Sequence, residues 1–335
     1  MKVQTHDHLE AVGPVAWDAL VDASRLRSPF VTWMWQCEWV RAFAPDARLE
    51  VRTVEDEAGR LVAILPLVEV EPGVLRGAGG TDVSDYLDLI VRAGLEEEAW
   101  AALLEARAGE RVAWDLHAVP AASPTAVALP RLARTCGLTA TVQVEERCPV
   151  LALPASWEAY LAGLSGKHRH ELGRKLRRLE RERPEARATC LEGTAAVEAR
   201  LGDFLDLHRR SRVGKARFMD ARMEGFFRRT VVALAARGGA RLWVLDTAAG
   251  SIAAFITLEW DGTVGLYNSG FHPDHAQLSP GVVLLSHLVR DAITRGRHRF
   301  DFLRGEERYK YEFEPVPEDV CHVRITPADP PPASP

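Results

Sequence analysis

The most constraining feature of this chain is an order of hydrophobic periods that occurs twice. In the second half, Ala240 to Thr247 reads as a strand, Ala249-Gly250 as a turn and Ser251 to Trp260 as the next strand. Asp261-Gly262 is a hairpin signal, and Thr263 to Ser269 a third strand. After a loop rich in His, Asp and Pro, Ser279-Pro280-Gly281 opens a helix carrying Val283, Leu284, Leu288, Val289 and Ile293. Gly296 closes that helix, and Arg299 to Leu303 is a final apolar strand. Three helices precede the strands, marked by Leu172, Leu176 and Leu179, then by Leu201, Phe204 and Leu205, then by Met223, Phe226, Phe227, Val231 and Leu234.

The first half repeats the order in weaker form. Leu49 to Glu55, Leu61 to Val70 and Tyr86 to Val91 are predicted strands, Leu95 to Arg107 a helix and Arg111 to His117 the closing strand. Ala58-Gly59 corresponds to Ala249-Gly250, and Trp114-Asp115-Leu116 to Phe300-Asp301-Phe302. Such self-similarity indicates duplication. The boundary is expected at Pro149 to Ser156, giving domains over 1–150 and 151–325. The proline-rich stretch 326–335 is expected to be a disordered tail.

Composition narrows the function. A net charge of -5 offers no global attraction to nucleic acid or anionic membrane, so any basic site must be local. Met1 to Glu10 has no apolar signal core, and no apolar run approaches the roughly 20 residues needed to span a bilayer. The five cysteines are scattered and form no C-x-x-C pair, which points to reduced thiols, a cytoplasmic location and no metal. The helix holding Lys167, Arg169, Arg174, Lys175, Arg177, Arg178, Arg181 and Arg183 lacks interleaved aromatics, which disfavours sequence-specific RNA binding.

Two stretches can carry chemistry. At Ser279-Pro280-Gly281, serine suits the N-cap, proline the first helical position, and glycine leaves room for a ligand. Free N–H groups and the helix dipole would there attract a pyrophosphate. The second stretch runs from Asp301 to Phe313 (D-F-L-R-G-E-E-R-Y-K-Y-E-F), where a strand empties into dense polar groups at a sheet edge. Asp301, between two phenylalanines, is expected to be partly desolvated. His208 follows Leu201, Phe204 and Leu205 on one helical face and reads first as a structural histidine, with Arg212 and Lys215 beyond it.

D-F-L-R-G-E-E-x-Y-K-Y resembles the C-terminal signature of the CelD-like acetyltransferases, a GNAT family associated with cellulose and exopolysaccharide biosynthesis. Leu207 to Phe218, Asn268 to Gly281 and Ser84 to Leu89 are further family-like stretches, and the resemblance spans roughly 28–315. That family is similar to the Fem peptidyltransferases, whose lysine in Phe-Lys-x-x-Phe corresponds to Lys310. The GNAT pyrophosphate pattern Q/R-x-x-G-x-G/A is met only by Gln277-Leu278-Ser279-Pro280-Gly281, without its first glycine.

The resemblance implies an α/β (α+β) chain of two tandem GNAT-like domains, each a mixed, mainly antiparallel sheet flanked by helices. It implies an N- or O-acetyltransferase using acetyl-CoA or another acyl-CoA on an amine or hydroxyl of a sugar, glycan precursor or small molecule. The alternatives are a Fem-like aminoacyltransferase using aminoacyl-tRNA and a non-catalytic glycan- or precursor-binding module. Donor contacts are assigned to Tyr267, Asn268, Gln277, Ser279, Gly281 and Val282. Catalysis is assigned to Lys310 and Tyr309 as oxyanion stabiliser or acid, and to Glu306 or Asp301 as base, with His208 as the alternative. Asp85, Tyr86, Arg212, Lys215 and Arg304 are the candidate substrate contacts. Oligomeric state is left open.

Overall fold

The computed structural model describes residues 1–328. The chain forms two compact units, one of residues 1–146 with 318–328, the other of 147–317.

In the first unit the elements are β1 (Lys2–His6), α1 (Pro14–Asp22), α2 (Trp33–Phe43), β2 (Leu49–Glu55), β3 (Leu61–Glu71), β4 (Val74–Gly77), β5 (Ile90–Val91), α3 (Glu96–Ala106), β6 (Ala113–Pro120) and α4 (Pro124–Thr135). β7 (Leu138–Ala152) then leads into the second unit. The strand order is β1-β2-β3-β4-β6, antiparallel until β4 pairs parallel with β6. The core gathers Trp100, Leu103 and Leu104 from α3 against Leu65, Leu67 and Trp114, all with 2% exposure or less. Alternate residues of each strand thus supply one apolar face, which a helix stripe covers.

The second unit continues with α5 (Trp157–Gly163), α6 (Gly166–Glu182), β8 (Arg187–Leu191), α7 (Gly193–Ser211), α8 (Val213–Phe218), α9 (Ala221–Ala235), β9 (Ala240–Thr247), β10 (Gly250–Trp260), β11 (Thr263–Phe271), α10 (Pro280–Thr294) and β12 (Arg299–Asp301). The order is β8-β9-β10-β11-β12, with the end of β7 antiparallel to β12. Here too the last pairing, β11 with β12, is parallel while the others are antiparallel. α10 lays Leu284, Leu285 and Leu288 on one side of these strands. α7 and α9 bring Phe204, Phe226 and Phe227, each fully buried, to the strands as well.

The repeat is therefore real at the level of topology, and one correspondence needs correcting. Of the predicted strand Tyr86 to Val91, only Ile90–Val91 is extended, and it pairs with β3. The counterpart of β11 is β4, a four-residue strand after the Pro72-Gly73 turn. Its shortness hid its period.

The final strand, β13 (Val316–Pro327), pairs antiparallel with β6, so its residues from Glu318 to Pro327 rejoin the first unit. Val320, Val323 and Ile325 are buried there, whereas the expected second domain, 151–325, included the stretch 318–325. Thr326 and Pro327 belong to this strand. The rest of the expected tail, from 329, lies outside the described residues.

Candidate functional site

A cavity of about 260 Å³ lies in the second unit beside the start of α10. Its origin is a divergence of strands. β11 and β12 pair only over Thr263–Gly265, whereas β11 runs on to Phe271 and the other chain turns away at Leu303, whose φ is 57°. The wedge left between them is floored by Phe255, Ser269 and Phe271 and rimmed by Ser279 to Val282. Arg212, Lys215, Glu307 and Tyr309 supply its polar groups.

A bulge decides which residues of β11 face this space. The register with β10 shifts between Ile256 and Thr257, skipping Tyr267. Such an extra residue re-aims the side chains around it. Tyr267 stacks on Phe227 with ring centroids 5.3 Å apart, and Asn268 bonds His208, so both face helices α9 and α7. Ser269 and Phe271 then line the cavity. Tyr267 and Asn268, the expected donor contacts, do not line the cavity. Gln277 is exposed in the 3-10 turn Pro273–Leu278 and does not line the cavity either.

At the helix start, Ser279, Gly281 and Val282 do line the cavity. Ser279 occupies the N-cap position but adopts a left-handed conformation (φ 52°, ψ 47°) and makes no side-chain capping bond. An N-cap serine normally caps from extended backbone, so this one leaves the first-turn amides uncapped. Pro280 contributes no N–H, and the amides of Gly281 and Val282 are the available donors. The corresponding helix of the first unit differs: α3 opens with Glu96, Glu97 and Glu98, and the Glu96 carboxylate accepts from Gly94 N–H at 2.8 Å. That end already carries its own anions.

The cations and acids of the cavity are coupled. Lys215 Nζ donates to the Ser269 carbonyl and lies 3.3 Å from Ser269 Oγ. Burial pushes its ammonium down to about 8, with Glu307 opposing the shift and Arg212 adding to it. Burial pushes the Tyr309 phenol well above its usual range, and the nearby Glu307 charge acts the same way, so the hydroxyl keeps its proton. Its side chain also bonds Ser269. For Glu307, burial raises the carboxyl, but the charge and hydrogen bond of Lys310, a backbone hydrogen bond and the charge of Lys215 together outweigh it and hold the group below the usual range.

Lys310 is not in the cavity. Its ammonium is buried and donates to the carbonyls of Gly305 at 2.8 Å and Arg304 at 2.9 Å, with Leu303 O at 3.4 Å and Glu307 Oε2 at 2.8 Å. Its donors are spent on the loop that carries Glu307 and Tyr309. Glu306 points elsewhere, accepting from Tyr311 and pairing with Arg147 at 3.6 Å. Asp301, fully buried, accepts from Leu303 N–H at 2.8 Å and pairs with Arg299 at 3.1 Å, which closes the turn after β12. Burial drives His208 down to about 3, the charge of Lys215 adds to this, and the ring is neutral between Phe204 and Phe218.

Of the expected residues, the structure brings Ser279, Gly281, Val282, Arg212, Lys215 and Tyr309 to one cavity, and leaves Arg304 outside its lining. Asp85 and Tyr86 belong to the first unit. Sequence reasoning missed Ser269 and Glu307. The Glu307 carboxylate lies over Gly305 (φ 103°), where a Cβ would meet its Oε2 at 2.8 Å.

Residues 166–311 match the family described as an acetyltransferase (GNAT) domain, a span that contains every residue of the cavity. No curated protein matches the chain in sequence. In fold it is similar to a conserved protein of unknown function from Bacteroides thetaiotaomicron VPI-5482, at 12% identity and TM-score 0.61 over 97% of this chain and 100% of that one. It is also similar to FemX, at 11% identity and TM-score 0.60 over 96% and 97% of the two chains. The L-PGS structure from Bacillus licheniformis gives 12% identity and TM-score 0.57 over 97% and 94%. The fold is accordingly α/β, two tandem GNAT-like units of mixed, mainly antiparallel strands flanked by helices.

Proposed function

We propose that this chain is an acyltransferase that moves an acyl group, an acetyl group in the simplest case, from acyl-CoA to an amine or hydroxyl of a sugar, glycan precursor or small molecule. The observation that carries this reading is one cavity holding an uncapped helix start together with Lys215 and Tyr309.

The residues fit the donor by charge and size. The Gly281 and Val282 amides at the positive end of α10 suit a pyrophosphate. A cavity of about 260 Å³ suits the acyl-thioester end of such a donor rather than its whole length. The thioester supplies an activated carbonyl and a thiolate leaving group. Lys215, close to half neutral near pH 8, takes the proton from the attacking amine or hydroxyl. Tyr309, protonated throughout the neutral range, gives a proton to the leaving sulfur. Phe255 and Phe271 keep water from the carbonyl. Glu307 holds Lys215 and Lys310 in a common charge field, and Lys310 positions the loop. The roles first given to Lys310, Glu306, Asp301 and His208 pass in this reading to Lys215 and Tyr309.

A second reading, aminoacyl transfer from aminoacyl-tRNA, is favoured by one observation. Lys167, Arg169, Arg174, Arg177 and Arg181 of α6 are all exposed, and only some are paired, Arg174 to Glu171 and Arg181 to Glu182. A third, glycan binding without chemistry, would need the cavity but neither proton carrier. Titration of the purified protein with acetyl-CoA, CoA, deacylated tRNA and aminoacyl-tRNA separates the three. Saturable acetyl-CoA binding with no tRNA preference supports the first reading, tight aminoacyl-tRNA binding the second, and binding of neither donor the third.

A further inference from the structure

The first unit contains a cluster that the proposed acyl transfer does not use. Asp115 and His117 stand two residues apart on β6, so both project from one face of the strand. β13 presents His322 to them at a register shift between Cys321 and Val323, opposite Ala118, whose φ is 56°. Bulges of this kind aim side chains at sites. The two imidazoles stack at 4.2 Å with planes 6° apart. His322 Nε2 lies 2.6 Å from Asp115 Oδ1 and His117 Nε2 lies 3.1 Å from Asp115 Oδ2.

We propose that Asp115, His117 and His322 form a site for a divalent transition-metal ion such as Zn²⁺, with Arg76 as its built-in competitor.

The chemistry of the donor set fits. Two imidazole nitrogens and one carboxylate oxygen are the nitrogen and oxygen ligands that zinc, cobalt and non-haem iron accept. The three ligand atoms already lie within 4.8 Å of one another, so about an ångström of side-chain rotation closes them on an ion at zinc-like bond lengths near 2.1 Å. The outer shell is also in place. His117 Nδ1 sits 2.8 Å from Glu145 Oε1, while Glu145 Oε2 accepts from Ala118 N–H at 2.9 Å. A carboxylate on the far ring nitrogen fixes the imidazole with Nε2 turned to the ion. Three protein ligands leave a position for water, and both histidines are partly exposed, which gives the ion a way in.

Arg76 stands against the ion in a way that can be measured. Its guanidinium donates from Nε at 3.0 Å and Nη2 at 2.8 Å to Asp115 Oδ2, the oxygen an incoming ion needs. The arginine side chain is 43% exposed, so it can swing into solvent when displaced. Removing it therefore strengthens metal binding, whereas a purely structural ion pair predicts no metal uptake with or without it.

The test uses the full-length protein, freed of metal with a chelator and titrated with Co²⁺, whose visible absorption reports bound nitrogen and oxygen ligands, and with Zn²⁺ by calorimetry. One ion per chain is expected. Arg76→Ala should tighten binding at least about tenfold, and Glu145→Gln should weaken it about ten- to a hundredfold by freeing the ring. His117→Asn and His322→Gln, which keep a hydrogen-bonding group beside Asp115, should abolish the Co²⁺ spectrum, with melting curves showing that each variant is folded. Absence of a Co²⁺ spectrum in both the native protein and Arg76→Ala overturns the proposal. So does binding that survives the two histidine substitutions combined, which would place the ion elsewhere.

Discussion

The ammonium of Lys310 donates to the Gly305 carbonyl at 2.8 Å and closes the loop that delivers Glu307 and Tyr309 to the cavity. This makes Lys310 a positioning residue whose loss is felt first as instability. Replacing it by Met leaves buried carbonyls and the Glu307 carboxylate without their cation, a cost of about 3 kcal/mol. For a chain of 335 residues that corresponds to a fall of about 4 °C in the melting midpoint. Calorimetry checks it; an unchanged midpoint with lost turnover would return Lys310 to a direct catalytic role.

Gly270 is required by a backbone contact. A Cβ built there would lie 2.4 Å from His208 N and 2.6 Å from Leu207 C, atoms that cannot rotate aside. Gly270→Ala should force β11 off α7 and destabilise by about 3 kcal/mol. Gly202→Ala, in the interior of α7 with open space around it, should instead stabilise by about 0.5–1 kcal/mol. A urea midpoint that does not fall in Gly270→Ala would show that the α7–β11 contact is looser than described.

Lys215 gives the rate a pH signature. As the base it must be neutral, so kcat/KM should rise with pH and level off above about 8. Stability carries the same sign. The folded chain releases this proton near pH 8 and the unfolded chain near 10.5, so between those values the unfolded chain binds more protons. This group therefore makes stability increase with pH across that window. Lys215→Met should remove the limb from the rate profile; a limb that persists assigns the base elsewhere.

Tyr309 is tested through the split between binding and chemistry. Tyr309→Phe keeps the ring against the cavity wall and removes the proton given to the leaving group. Turnover should fall about a hundredfold or more while KM for the donor changes little. An equal loss in KM with kcat preserved would make it a binding residue.

Much of this was readable before any coordinates. The strands Leu49–Glu55 and Ala240–Thr247 coincide with the structure to the residue, because short runs rich in apolar and β-branched residues that end at a glycine turn define a strand strongly. The helix start at Ser279 to Val282 was legible from local chemistry, and so were Arg212, Lys215 and Tyr309 as polar residues near it. The rest depended on the third dimension. A bulge at Tyr267 reverses which residues of β11 face the cavity, and a register shift leaves no mark in composition. Lys310 resembles a catalytic lysine in sequence, yet three carbonyls from its own loop capture it. Asp115 and His322 are 207 positions apart and meet only because β13 returns to β6, so no spacing rule could join them.

The central claim, a donor held at the uncapped start of α10, is tested most directly by titrating acetyl-CoA into the native protein and Gly281→Gln. A Cβ at Gly281 would meet Phe255 at only 3.6 Å, an ordinary contact, so the fold should tolerate the change while the longer side chain occupies the donor's approach. The account predicts measurable affinity in the native protein, a loss of at least about tenfold (~1.4 kcal/mol) in the variant, and superimposable melting curves. Equal affinity in the two proteins, with both folded, would contradict it.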